Sequence, residues 1–159
     1  MRVPVFVSSC LWNNNTLCNT NDCFSLQTNK RMTILLVDDD EDDRNLFSGA
    51  AREVDDTITC VTASSGEEAL LYLKEHTNPL PDFVFLDLRM PGLSGEECLV
   101  EIKKESRLAS VPVIIYTTSK DVSESVRLKE LGAAHFMSKP VFPDDVFYMV
   151  SFVLGEKWN

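Results

Sequence analysis

Five short apolar runs between residues 34 and 138 constrain this chain more than any other feature. They are Ile34–Val37, Ile58–Thr62, Phe83–Leu86, Val113–Tyr116 and Ala134–Ser138. Three are near-continuous in apolar residues, the pattern of parallel strands covered on both faces. The segments between them have helical periodicity instead. Leu46, Phe47, Ala50, Ala51 and Val54 make one apolar face, and Ala69, Leu70 and Leu73 make the next. Cys98, Leu99 and Ile102 make a third, and Val122, Val126 and Leu131 a fourth. Ser64 or Ser65 with Glu67 or Glu68 offers a capping box, as does Ser94 with Glu97. Gly132 stands where a helix end takes a left-handed residue. A last helix runs from about Pro143 to Leu154, with Asp144 and Asp145 near its positive end.

Strand and helix alternating five times predict an α/β domain with a doubly wound five-stranded parallel sheet and right-handed crossovers. In such sheets the ligand site lies beyond the carboxyl ends of the strands, where the strand order switches. The residues at those ends are therefore the ones to inspect. The first strand ends in Asp38 and Asp39, the third in Asp87, the fourth in Thr117 and Thr118, and the fifth in Lys139 before Pro140. The second ends in Thr62 and Ala63, which offer no chemistry.

A lone Asp after a strand is usually a turn former or a helix cap. Three carboxylates, a hydroxyl and an ammonium at four strand ends read better as one shared site. Two carboxylates about 4 Å apart repel by roughly 4 kcal/mol at an effective dielectric near 20, so the cluster calls for a cation. Hard oxygen ligands favour Mg²⁺ or Mn²⁺. One Asp left free could attack phosphorus to give an aspartyl phosphate. Lys139 and a Thr hydroxyl would then bind phosphoryl oxygens.

Composition excludes other classes. A formal net charge of -10, with the positive charges scattered and no basic stripe, argues against a nucleic-acid surface. No apolar run reaches the roughly 20 residues that span a membrane. The five cysteines are odd in number and accompany no convincing secretory signal, so they do not read as a disulfide framework. Cys60 and Cys98 read as small buried thiols.

Residues 1–31 differ in composition, with the run Asn13, Asn14, Asn15 and no sustained periodicity. They read as a mis-assigned start, with translation beginning at Met32, or as a disordered extension; residues 32–159 form the domain. A lipoprotein-like signal ending at Cys10 has too short an apolar core. Cys18 and Cys23 lack a partner pair for a metal.

Ile34-Leu35-Leu36-Val37-Asp38-Asp39, Leu86-Asp87-Leu88-Arg89-Met90-Pro91-Gly92, Tyr116-Thr117-Thr118 and Lys139-Pro140 together resemble the motif set of two-component response regulator receiver domains. The resemblance runs from about Thr33 to Leu154. The acidic stretch after the first strand is similar to that of single-domain receivers associated with phytochrome-type kinases. The resemblance implies a flavodoxin-like fold with strand order 2-1-3-4-5. It implies Asp87 as phosphoacceptor and Asp38 and Asp39 as Mg²⁺ ligands, Asp39 directly, with Asp87 and the backbone carbonyl of Arg89 completing the set. Thr117 would be the switch hydroxyl, Phe136 the switch aromatic and Lys139 the ion-pair partner of the phosphate, behind a cis Lys139-Pro140 bond.

The resemblance also implies a cytoplasmic bacterial-type switch rather than an enzyme, served by a sensor histidine kinase or a phosphotransfer protein. Output would come by protein contact or by relay, since the chain ends without a further domain. The last helix is apolar almost all round, which reads either as deep core packing with ordinary exposed apolars or as a partner or homodimer interface. The resemblance implies that this region, with helix four and strand five, is the signalling face. Arg89 and Ser119 flank the expected path of an attacking water and are expected to tune phosphate lifetime. Asp40 reads equally as a solvated loop acid. Two rivals are an aspartate-nucleophile phosphatase using Asp38 and Asp40, which leaves Asp87 unexplained, and a degenerate receiver that ignores phosphate.

Overall fold

The computed structural model describes residues 31–155. The expectations for residues 1–30 lie outside the described residues. Ten elements alternate: β1 (Thr33–Val37), α1 (Glu41–Val54), β2 (Thr59–Ala63), α2 (Gly66–Lys74), β3 (Phe83–Leu86), α3 (Gly95–Lys104), β4 (Val113–Thr117), α4 (Val122–Glu130), β5 (His135–Ser138) and α5 (Asp144–Gly155). The strands pair in parallel in the order β2-β1-β3-β4-β5. The sheet and its order agree with the expectation, with strand ends displaced by at most a residue or so.

Side chains alternate across a strand, so each strand feeds two cores. Leu35, Val37, Val84, Leu86, Val113 and Ile115 face α2, α3 and α4, meeting Leu73, Leu99 and Leu128. Ile34, Leu36, Phe83, Phe85, Ile114 and Tyr116 face α1 and α5, meeting Phe47, Ala51, Val146 and Val150. Phe47, Phe85 and Tyr116 form an aromatic trio, Phe47 tilted on Phe85 and Tyr116 edge-on to both, with centroids 4.7 to 6.4 Å apart. Burial on both faces explains the near-continuous apolar runs of β3 and β4.

The helix ends follow local chemistry. Ser94 and Glu97 form the expected capping box on α3. Ser65 caps α2 by accepting from the Glu68 amide, while the Glu68 carboxylate reaches back to Ser64 instead. Gly132 adopts φ 103° just past α4, a conformation that costs a residue without Cβ nothing.

One expected face is wrong. Val122 and Val126 of α4 are 75% and 53% exposed, and the side chain that α4 buries is Leu128. Val122 and Val126 sit four apart and do share a face, but that face turns to solvent. Leu131 lies at the C-cap and packs only partly against the core.

Candidate functional site

The site forms where β1, β3, β4 and β5 deliver their last residues to one edge of the sheet. Asp38 continues β1, and its amide donates to the Ala63 carbonyl at 3.0 Å, as though the ladder ran one residue further. The Asp87 amide does the same to Val37, at 2.9 Å. The Lys139 amide donates to the Thr117 carbonyl at 2.7 Å. Backbone pairing thus fixes the Cα positions of the functional residues before any side chain is considered.

Asp38, Asp87 and Thr117 are the buried polar side chains among the described residues. One carboxylate oxygen each from Asp38, Asp39 and Asp87 lies within 4.8 Å of the others, with Asp39 exposed. Asp38 Oδ1 accepts from the Asp40 amide at 3.0 Å, and its backbone oxygen accepts from Arg44 Nη1 at 2.6 Å. Its Oδ2 is buried and pairs with the Lys139 ammonium, 2.7 Å away. Asp87 Oδ1 accepts from the Leu88 amide at 2.7 Å, and its Oδ2 lies 3.6 Å from Lys139 Nζ. Thr117 Oγ1 accepts from the Ser119 amide at 3.4 Å.

Burial raises the pKa of the Asp38 carboxyl, against the opposing pull of the Lys139 ammonium and the Asp40 amide. Burial alone would lower the pKa of Lys139. Its bonds to Asp38 and Asp43 and the charge of Asp87 outweigh that, and the ammonium is held charged. The same ammonium stands 5.7 Å from the centre of the Tyr116 ring, within cation–π range.

Several expectations change at this point. The Lys139–Pro140 bond is trans, since no cis peptide occurs among the described residues. Trans is the cheaper isomer, and Lys139 Nζ reaches the carboxylates from it. Asp40 is the N-cap of α1, accepting from the Asp42 and Asp43 amides at 2.9 and 3.3 Å. Its carboxylate is thereby committed, which counts against the phosphatase pairing of Asp38 with Asp40. The Arg89 guanidinium meets Glu124 of α4 at 3.7 Å. Phe136 is half-buried against the cluster beneath α2, α3 and α4.

Two contributors escaped sequence reasoning. Asp43 places Oδ2 2.7 Å from Lys139 Nζ, as close as Asp38 does. Gly95 opens α3 so near the loop after β3 that an added Cβ would collide with the Asp87 carbonyl oxygen and the Leu88 Cα. A glycine opening a helix just after the third strand end was the available signal for the second. Nothing local marked Asp43, which is one acid in a run of six.

The donor set suits a hard divalent cation. Three carboxylates converge from two adjacent strand ends, and the one buried ammonium beside them leaves most of their charge unbalanced. Asp38 Oδ2 is buried with the Lys139 ammonium as its one close partner, and it is the oxygen a cation would contest.

Comparison with known proteins agrees with this geometry. The sequence profile of the response regulator receiver domain matches residues 34–151. The two-component response regulator ORR5 of Oryza sativa subsp. japonica is 36% identical over 121 residues, which is 76% of this chain and 87% of the rice protein. The probable transcriptional regulator ycf27 of Guillardia theta is 33% identical over 84% of this chain, which spans only 50% of that protein. Among solved structures, the phosphorylated cyanobacterial phytochrome response regulator RcpA matches with a TM-score of 0.72 at 28% identity, covering 77% of this chain and 91% of its own.

Proposed function

Because this chain belongs to the response regulator receiver domain family, we propose that it is a signalling switch that accepts a phosphoryl group on Asp87. The observation that carries this reading is the placement of Asp87. It is buried at a strand end, with Asp38 and Asp39 within 4.8 Å and the Lys139 ammonium 3.6 Å from its Oδ2. Asp38 is already engaged by the Asp40 amide and by Lys139, whereas Asp87 Oδ2 has only the looser ammonium contact.

The donor is a sensor histidine kinase or a phosphotransfer protein carrying phosphohistidine. An Asp87 carboxylate oxygen attacks phosphorus, the bond from phosphorus to the donor imidazole nitrogen breaks, and its electron pair returns to that nitrogen. Asp38, Asp39 and Asp87, with the backbone carbonyl of Arg89, would hold Mg²⁺. When bound, that ion neutralises the carboxylates and the phosphoryl oxygens. Lys139 supplies a fixed positive charge beside the acceptor. Thr117 and Phe136 transmit the change, the hydroxyl moving toward the phosphate and the ring filling the space behind it.

Output runs through protein contact or onward relay at the surface of α4, β5 and α5. Val122, Val126, Tyr148 and Phe152 stand exposed there, an apolar population that suits a partner or a homodimer. A net charge of -10 disfavours nucleic acid as that partner, and no described helix is long and apolar enough to cross a membrane. The switch comprises residues 32–159 and works in the cytoplasm, with residues 1–31 an extension or a mis-assigned start. N-terminal mass spectrometry of the native protein decides the latter.

The test is incubation with acetyl phosphate and Mg²⁺ followed by intact mass. Wild type gains one phosphoryl group, and Asp87→Asn gains none. An adduct that survives Asp87→Asn would remove the assignment. Hydrolysis of general phosphate esters without an adduct would favour a phosphatase.

A further inference from the structure

Lys139 is shared among carboxylates more widely than a phosphate partner requires. Its Nζ lies 2.7 Å from Asp38 Oδ2 and 2.7 Å from Asp43 Oδ2, against 3.6 Å from Asp87 Oδ2. Asp43 lies 96 residues away in sequence, on the first turn of α1. Its side chain has no capping duty, because Asp40 accepts both the Asp42 and the Asp43 amides. The Asp43 carboxylate is also the more exposed partner, 37% accessible against 1% for Asp38.

These distances matter because an ammonium and a divalent cation compete for the same oxygens. Every contact that Lys139 makes with Asp38 or Asp87 is one a metal ion must displace, and an ammonium tight on Asp87 would also blunt its attack on phosphorus. A carboxylate outside the metal set that shares the ammonium keeps it off Asp87 and weakens its hold on Asp38. It also keeps the charge in the site, ready for a phosphoryl oxygen.

We propose that Asp43 is a positioning residue: it draws the Lys139 ammonium toward the α1 side of the site, so that Asp87 stays open to the phosphoryl donor and a divalent cation meets a shared rather than a sole ammonium contact at Asp38. The proposal rests on the phosphoacceptor reading and deepens it. Asp43 acts through Lys139, so its influence disappears when Lys139 is absent.

A double-mutant cycle on the full chain isolates that dependence, with Mn²⁺ binding read by electron paramagnetic resonance. The proteins are wild type, Asp43→Asn, Lys139→Met and the double variant, with Asp43→Ser as a second replacement in each background. Asp43→Asn is expected to weaken Mn²⁺ binding about tenfold with Lys139 present, and about twofold or less with Met in its place. An equal loss in both backgrounds would show that Asp43 acts only as background charge and overturn the proposal. Unchanged Mn²⁺ binding in the Asp43 variants with Lys139 present would overturn it too. Should wild type neither bind Mn²⁺ nor gain a phosphoryl group from acetyl phosphate, the phosphoacceptor reading itself would fall and take the positioning role with it.

Discussion

Helix α3 buries Cys98, Leu99 and Ile102 against the sheet and starts in a reciprocal capping box, whereas α4 on the same face buries Leu128 alone. What α4 lacks in buried contact it replaces with charge. Arg89 after the Asp87 strand pairs with Glu124 at 3.7 Å, and Arg127 pairs with Glu96 of α3 at 2.6 Å. Apolar burial is not screened by salt, while ion pairs of this exposure contribute at most about 1 kcal/mol each. The two helices therefore differ in how readily they can move. Elements with few buried contacts come from the low-stability end of a fold, where switches are drawn from. The α4 helix is also the next element after Thr117, so under the proposed switch a shift of that hydroxyl would reach the looser of the two.

That contrast can be broken at several points. Leu99→Ala should cost about 3 kcal/mol or more of global stability in urea unfolding. Leu128→Ala should cost about 2 kcal/mol, the low end for such a truncation, because a loosely held helix can settle into the space. Equal costs at the two positions would erase the distinction. Hydrogen exchange should then show the α4 amides opening well before those of α3, and more so in Leu128→Ala.

Smaller effects sharpen the same picture. Ser94→Ala removes the α3 cap and should cost about 1 kcal/mol at neutral pH. Bonds from the Ser94 hydroxyl and backbone amide hold the Glu97 carboxyl below its ordinary pKa of 4.5. A depressed carboxylate stabilises the fold above its unfolded value, and the contribution fades as pH falls through the folded value. The gap between wild type and Ser94→Ala should accordingly narrow on acidification below about pH 4.5. Smallest of all, Glu124→Gln should change stability by less than about 0.5 kcal/mol and make α4 exchange less sensitive to salt.

Much of this molecule was legible from its residues. The apolar runs of β3 and β4 are buried on both faces and could hardly be anything but central parallel strands. The ends of β1, β3, β4 and β5 named Asp38, Asp39, Asp87, Thr117 and Lys139 because topology places strand ends together. What stayed hidden depended on rotation and reach. Val122 and Val126 mimic a core stripe, and periodicity reveals that two residues share a face without saying which way the face points. Asp40 and Asp43 are identical in type and three residues apart. One caps α1 while the other turns to meet Lys139 across the site, a distinction fixed by the first helical turn and by the arrival of β5. The trans Lys139–Pro140 bond was likewise not written in the dipeptide, which permits both isomers.

The claim that Asp87 is the acceptor is tested most directly by locating the phosphoryl group in the chain. The protein is treated with acetyl phosphate and Mg²⁺ and then reduced with borohydride, which converts an aspartyl phosphate to homoserine, before peptide mass spectrometry. Conversion confined to position 87 is the predicted result. Conversion at position 38 with Asp87 untouched would contradict the account and return the site to the phosphatase reading.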